Sequence, residues 1–159
     1  MTPASAAEPL SFREKFAYGL GDMASNFYLG FFGLFLLYYY TDVYGLAPAA
    51  VGTMLLVTKI VDAVSDPVMG LIADRTETRW GKYRPYLLFA AIPYGLLGYA
   101  LLLGPELSDT GKLIYAYVTY TAVMLAFTAV NVPYSALLAV ISPSAVERTK
   151  ATTFRFILA

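Results

Sequence analysis

The chain has 159 residues with 11 basic and 11 acidic side chains, so it carries no net formal charge and no basic field that would point to nucleic acid. Hydrophobic residues make up 58% and charged residues 14%, too little polar surface for a domain surrounded by water, and the composition places the chain in a bilayer. With no Cys and no His, a thiol nucleophile, a Cys or His metal centre, a Ser-His-Asp triad and a disulfide framework are all excluded.

Residues 1–15 read as a short, loosely ordered tail, because Met1 to Glu14 lack the apolar stretch of a cleavable signal. The first apolar run, Phe16 to Tyr40, has 25 residues and is long enough to cross with some tilt. Asp22 and Asn26 lie four apart on one face of it, and Gly19, Gly21, Gly30 and Gly33 are thin places where another helix or a ligand can approach. Asp22 is open to two readings, a headgroup-level carboxylate or a polar group of a site. Tyr38, Tyr39 and Tyr40 read as an interfacial belt.

Pro48 suits the first position of a second crossing that runs to Ala73. A basic loop, Asp74 to Pro85, holds Arg75, Arg79, Lys82 and Arg84. Tyr86 to Gly104 forms a third crossing that Pro93 can kink, and Pro105 to Lys112 a turn. Leu113 to Ile141 is a fourth crossing, interrupted at Asn131-Val-Pro133, where the proline frees a carbonyl. After Ser142 to Lys150 a fifth apolar run starts at Ala151. Its nine residues rise only about 13 Å as a helix, so the chain reads as the N-terminal part of a longer, all-α membrane transporter.

The second crossing carries Lys59, Asp62 and Asp66 in an otherwise apolar stretch. At helical spacing Asp66 lies about 40° round from Asp62, and Lys59 about 20° from Asp66, so one stripe holds all three. Each charge costs roughly 2.5–3.5 kcal/mol at a helix centre, and Lys59 can offset only one carboxylate. The remaining negative charge calls for a bound monovalent cation or a proton.

Orientation follows from the basic residues. Arg13, Lys15, the four in the loop after helix two, Arg148 and Lys150 fall on one side, and Lys112 stands alone on the other. An excess of Lys and Arg marks the cytoplasmic side, so the N-terminus is expected there, in a cell or inner membrane crossed several times. The charge count of the basic loop is sufficiently explained by this topological role.

Four stretches together carry a family resemblance: Tyr38-Tyr-Tyr-Thr-Asp42, Lys59-Ile-Val-Asp-Ala-Val-Ser-Asp-Pro-Val-Met-Gly70, Arg79-Trp-Gly-Lys-Tyr-Arg-Pro85 and Asn131-Val-Pro-Tyr134. From about Lys15 onward the chain resembles the glycoside-pentoside-hexuronide:cation symporters, the melibiose permease group of the major facilitator superfamily. That resemblance implies two six-helix halves with the substrate between them, this chain supplying helices one to four and the start of five. It implies a cation site for Na⁺, Li⁺ or H⁺ at Asp62 and Asp66, with Ser65 and Thr128 as further oxygen donors and Lys59 as charge balance. The carboxylates that hold galactosides in the family correspond to Asn26 and Asn131, and a family tyrosine to Phe127. An amide binds hydroxyls more weakly than a carboxylate does, so the resemblance leaves galactoside, hexuronide, pentoside and glucoside open. Arg155 matches a family arginine able to receive an anionic group, and Asp22 joins the candidate substrate set. Gly70, Asp74, Arg75, Gly81, Lys82 and Arg84 resemble the superfamily's cytoplasmic signature and are expected to form a gate of ion pairs.

The function implied is cation-coupled symport of a sugar or glycoside by alternating access, with Na⁺ as the coupling ion and H⁺ or Li⁺ as alternatives. Binding of ion and of sugar would each favour the other. The partners are the sugar, the cation and the lipid bilayer, with no nucleic acid and no cofactor. A cation-coupled lysolipid carrier of the same superfamily is the alternative. A channel is a weaker reading, because no internal repeat supplies a ring of charges, and an enzyme the weakest, because no nucleophile or metal cluster accompanies the acids.

Overall fold

A computed structural model describes residues 9–158, and the first eight residues of the expected tail lie outside the described residues. All regular structure among the described residues is helical. Helix α1, Phe12–Tyr38, opens four residues before the apolar run does. Ser11 and Glu14 close a capping box, in which Ser11 Oγ accepts from Glu14 N–H at 3.3 Å and Glu14 Oε2 accepts from Ser11 N–H at 2.8 Å. The helix thus extends through charged residues that hydropathy alone reads as tail.

Helix α1 passes without a break into a π-helical turn, Tyr39–Val43. A wider turn changes the direction in which successive side chains point, and the tyrosine cluster divides accordingly. Tyr40 is fully buried, the Tyr39 hydroxyl donates to the Leu102 carbonyl at 2.9 Å, and Tyr38 alone stays outward. Helix α2, Pro48–Arg75, begins on its proline and continues through Pro67. Helix α3, Arg84–Leu101, ends before the expected Gly104, whose φ of +52° belongs to the following turn. Helix α4, Asp109–Ile141, starts four residues early on the Ser108 cap and runs unbroken through Pro133. The expected interruption is therefore confined to the Ala129 carbonyl, which loses its helical donor. Helix α5, Ala145–Leu158, begins six residues early because Ser144 accepts from the Glu147 and Arg148 N–H groups.

The helices run up and down. Lys15 near the start of α1 meets Glu147 near the start of α5 at 2.7 Å, and Tyr83 before α3 donates to Asp74 near the end of α2 at 2.7 Å. At the opposite end Tyr44 donates to the Pro105 carbonyl at 3.1 Å, and Lys112 to the Tyr44 carbonyl at 3.2 Å. The basic residues other than Lys112, Lys59 and Arg155 therefore gather at one end of the bundle. Helix α4 packs on α2 and on α3, while α1 packs on α5.

The main core, with Leu36, Tyr40, Met54, Leu101 and Val123, seals the end away from the basic residues. A smaller cluster of Tyr18, Tyr134 and Ala151 lies toward the basic end. Two of the four glycines of α1 act as thin places. A Cβ on Gly19 would lie 3.0 Å from the Phe154 carbonyl oxygen of α5, and one on Gly21 would lie 2.9 Å from the Tyr134 ring of α4. Gly30 and Gly33 have open space instead.

Phe12–Val43 and Asp109–Ile141 are each long and apolar enough to cross a membrane. Helix α2 has the length, since its 28 residues span about 42 Å, and charges interrupt its apolar content at Lys59, Asp62 and Asp66. In the 18-residue α3, Arg84, two prolines and three tyrosines dilute the apolar content in the same way.

Candidate functional site

The charged stripe of α2 sits near mid-helix. Asp62 is roughly 20 Å along the axis from either end, at 1.5 Å per residue, so the carboxylates are not at a helix terminus. Lys59 Nζ reaches Asp62 Oδ2 at 3.3 Å from a side chain that is itself 68% exposed. The other oxygen, Asp62 Oδ1, is buried and has no hydrogen-bond partner. Asp66 is exposed along the side of α2, and its Oδ1 accepts from Thr128 Oγ1 of α4 at 2.8 Å. Two carboxylates and one ammonium share the stripe.

Ser65 stands apart from this set. Its hydroxyl donates to the Asp62 carbonyl of its own helix at 3.3 Å, and no hydrogen bond joins it to either carboxylate. An acceptor lone pair remains on Oγ, so the group is a possible oxygen donor that the present geometry does not use.

A second polar cluster joins α1, α4 and α5. Asp22 is 4% exposed, ten residues into α1, so its carboxylate is buried between helices. Its Oδ2 accepts from Asn26 Nδ2 at 2.9 Å, and its Oδ1 lies 3.0 Å from Arg155 Nε. That N–H is not aligned for a hydrogen bond, so the contact is an ion pair with poor directionality. The Arg155 guanidinium lies 5.7 Å from the centre of the Tyr134 ring, which stacks on Tyr18 at 4.7 Å, and the Tyr134 hydroxyl donates to the Tyr18 carbonyl. Three of the five candidate substrate residues, Asp22, Asn26 and Arg155, thus form one network. Phe127 does not join it but lies 6.1 Å from the Tyr94 ring. Asn131 is half-buried and makes no hydrogen bond among the described residues.

Tyr18 and Tyr134 had no role in the sequence reading. Tyr18 precedes Asp22 by one helical turn, and Tyr134 closes the Asn131-Val-Pro-Tyr134 stretch, so both positions carried a signal in their spacing.

The candidate gate lies at the basic end. Asp74 accepts from the Tyr83 hydroxyl at 2.7 Å, which pushes the Tyr83 phenol above its ordinary pKa, with burial adding to the effect. Lys82 Nζ is 3.9 Å from Asp74 Oδ1, both side chains being well exposed. Gly81 has φ +97°, a left-handed conformation that favours glycine. Gly70 faces Val132 of α4, where an added Cβ would make an ordinary contact at 3.8 Å. Arg75 and Arg84 have no ion pair among the described residues.

A tighter charged cluster at that end was not foreseen. Glu147 is 6% exposed and receives Lys15 and Lys150, both at 2.7 Å, together with the Leu10 N–H at 3.1 Å. Lys15 first and Lys150 second hold its carboxyl far below the usual range, at about 2. In sequence, Glu147 is one of many loop charges, and its partners Leu10 and Lys15 are more than a hundred residues away.

Comparison with known proteins adds a family to this geometry. The inner membrane symporter YicJ of Escherichia coli (strain K12) is 46% identical over 153 residues, covering 96% of this chain and 33% of the relative. The putative glycoside/cation symporter YagG of the same strain is 46% identical over 150 residues, covering 94% and 33%. The isoprimeverose transporter of Lactiplantibacillus pentosus is 40% identical over 142 residues, covering 89% and 30%. The chain spans about a third of the length of these curated relatives. The model of one family, described as MFS/sugar transport protein, matches residues 17–159. An all-helical bundle with two acids on one stripe of an otherwise apolar helix, matched over nearly its whole length, belongs to the MFS/sugar transport protein family.

Proposed function

We propose that the full-length protein is a secondary active transporter that carries a sugar or glycoside together with a monovalent cation by alternating access. The observation that carries this reading is the buried, unpartnered Asp62 Oδ1 at the middle of α2, in a stripe whose two carboxylates face a single ammonium. A buried acceptor without a donor costs roughly 1–3 kcal/mol, and an unmatched charge costs more. A mobile cation removes both costs while bound and restores them when it leaves. Carboxylate and hydroxyl oxygens are hard donors, which suits Na⁺, and the same carboxylates would take H⁺ or Li⁺.

The bond from Thr128 to Asp66 links the ion stripe to α4, and α4 also carries Asn131 and Tyr134. Neutralising the stripe lets α2 repack against α4, and this favours sugar binding at the Asn26, Asp22, Arg155 and Asn131 groups. By linkage the sugar favours the ion to the same degree. Asp22 already offsets the charge of Arg155, which supports an uncharged glycoside over a hexuronide. The relatives' names, a putative glycoside/cation symporter and an isoprimeverose transporter, support a sugar over a lysolipid. The collected basic end supports a cytoplasmic N-terminus. Asp74, Arg75, Lys82 and Arg84 then form the inner gate, with Gly70 and Gly81 shaping the approach of α2 to α4 and the turn before α3.

The test is uptake by the full-length protein in proteoliposomes with an imposed Na⁺ or pH gradient. Asp62→Asn and Asp66→Asn should each abolish gradient-driven accumulation while sugar binding survives in part. Normal accumulation driven by either gradient in both variants would sink the assignment.

A further inference from the structure

At the basic end, on the outer side of α3, Arg79, Trp80, Arg84, Pro85, Leu87 and Leu88 line a groove of about 630 Å³. The turn that presents it is fixed by short bonds. The Thr78 hydroxyl donates to the Gly81 carbonyl at 2.6 Å and accepts from the Trp80 N–H at 3.3 Å, and Gly81 holds its left-handed φ. Trp80 is 45% exposed, with the Arg79 guanidinium 4.4 Å from its ring centre and the Phe89 ring 5.7 Å away. Neither Arg79 nor Arg84 has an ion pair or hydrogen bond among the described residues. The neighbouring acids are otherwise engaged: Asp74 holds Tyr83 and Lys82, and Glu14, in the adjoining cleft with Arg84, gives Oε2 to Ser11. Glu77 lies exposed two residues before Arg79. Below the groove, Leu88, Ile92 and Leu96 form a continuous outward stripe one helical turn apart.

We propose that this groove is a headgroup site for an anionic phospholipid, the phosphodiester lying between Arg79 and Arg84 and an acyl chain running down the Leu88–Ile92–Leu96 stripe. Charge complementarity selects the occupant. Two forked guanidinium groups with free N–H donors match a phosphodiester bidentately, and Trp80 sits where an amphipathic ring favours the interface. A zwitterionic choline lipid would bring its own cation against two unpaired guanidinium groups. The apolar stripe continues from the groove into the hydrocarbon, which distinguishes a lipid from a soluble phosphate. The site needs neither the ion stripe of α2 nor the Asp22 network.

The experiment is native mass spectrometry of the full-length protein in detergent micelles, titrated with phosphatidylglycerol or with phosphatidylcholine of identical chains. Wild type should retain one phosphatidylglycerol at least about fivefold more tightly than phosphatidylcholine, and Arg79→Gln should bring that preference below about twofold. Arg79→Lys should recover part of it, since the charge returns without the fork. Arg13→Gln, which removes the same charge from the same end without touching the groove, should keep it. Equal retention of both lipids by wild type overturns the proposal. So does a loss in Arg13→Gln as large as in Arg79→Gln, which would mean diffuse attraction, or displacement of the lipid by inorganic phosphate at equal concentration.

Discussion

The Asp22–Arg155 pair offers the most direct test of the polar cluster that joins α1 to α5. In Arg155→Gln, Asp22 stays 4% exposed with Asn26 as its remaining hydrogen-bond donor. Breaking a buried pair from one side costs about 3–5 kcal/mol. The lower end applies here, because Arg155 is 27% exposed and its N–H is not aligned on Asp22. In Asp22→Asn the freed guanidinium can reach solvent and keeps the Tyr134 ring, so the loss should be smaller, about 1–2 kcal/mol. The double variant Asp22→Asn/Arg155→Gln carries no unpaired charge and should lie within about 1 kcal/mol of Asp22→Asn, a coupling of about 2 kcal/mol or more. Denaturant midpoints of the purified full-length protein in micelles provide the cycle. Additive single effects, with a coupling under about 0.5 kcal/mol, would show that the pair does not hold these helices together.

Three further outcomes follow from specific contacts. Glu147 has its carboxyl depressed to about 2 by Lys15 and Lys150, so the stability it contributes is full above the unfolded value of 4.5 and fades as pH falls toward 2. The difference in thermal midpoint between wild type and Glu147→Gln should shrink across that window, and a difference independent of pH would refute the assignment. Gly19→Val would press a side chain against the Phe154 carbonyl oxygen and Leu158 and should cost about 1–3 kcal/mol, whereas Gly33→Ala, in open space, should leave the unfolding midpoint unchanged. Thr128→Val removes the 2.8 Å bond to the exposed Asp66, so stability should fall by less than about 1 kcal/mol. Half-saturation for the coupling ion in a transport assay should nevertheless rise about fivefold, and an unchanged ion dependence would place Thr128 outside the site.

What could be read in the sequence follows a physical rule. Lys59, Asp62 and Asp66 were visible because charge in an apolar span is costly, and their common stripe follows from the helical period alone. Thr128 entered the cation set only through the family resemblance, since no periodicity within α2 says which face of α4 it meets, and the structure adds its bond to Asp66. The helix starts were misplaced where capping decides them: Ser11, Ser108 and Ser144 carry α1, α4 and α5 beyond the apolar runs. Tyr40 was read as a belt residue because the π-helical turn that directs it inward depends on backbone hydrogen bonding, which composition does not encode. The clamp on Glu147 was hidden for a different reason: its partners Leu10 and Lys15 are brought to it by the packing of α1 on α5.

Helix α4 is the element through which the ion stripe and the polar cluster can influence each other. At helical spacing Phe127, Asn131 and Tyr134 fall within about 60° of one another, while Thr128 lies about 100° round from Phe127. The helix therefore turns one side toward Asp66 on α2 and an adjacent side toward Tyr18 on α1 and Arg155 on α5. It is 33 residues long and unbroken, so a rotation that strengthens or releases the Thr128–Asp66 bond must also move Asn131 and Tyr134. Its interior Pro133 leaves the Ala129 carbonyl free of its helical bond, one residue from Thr128 and two from Asn131, and lowers the cost of such a rotation at that place. In the proposed mechanism, coupling between cation and sugar then needs no long chain of contacts: one continuous helix carries the change from the Thr128 face to the face that holds Asn131 and Tyr134.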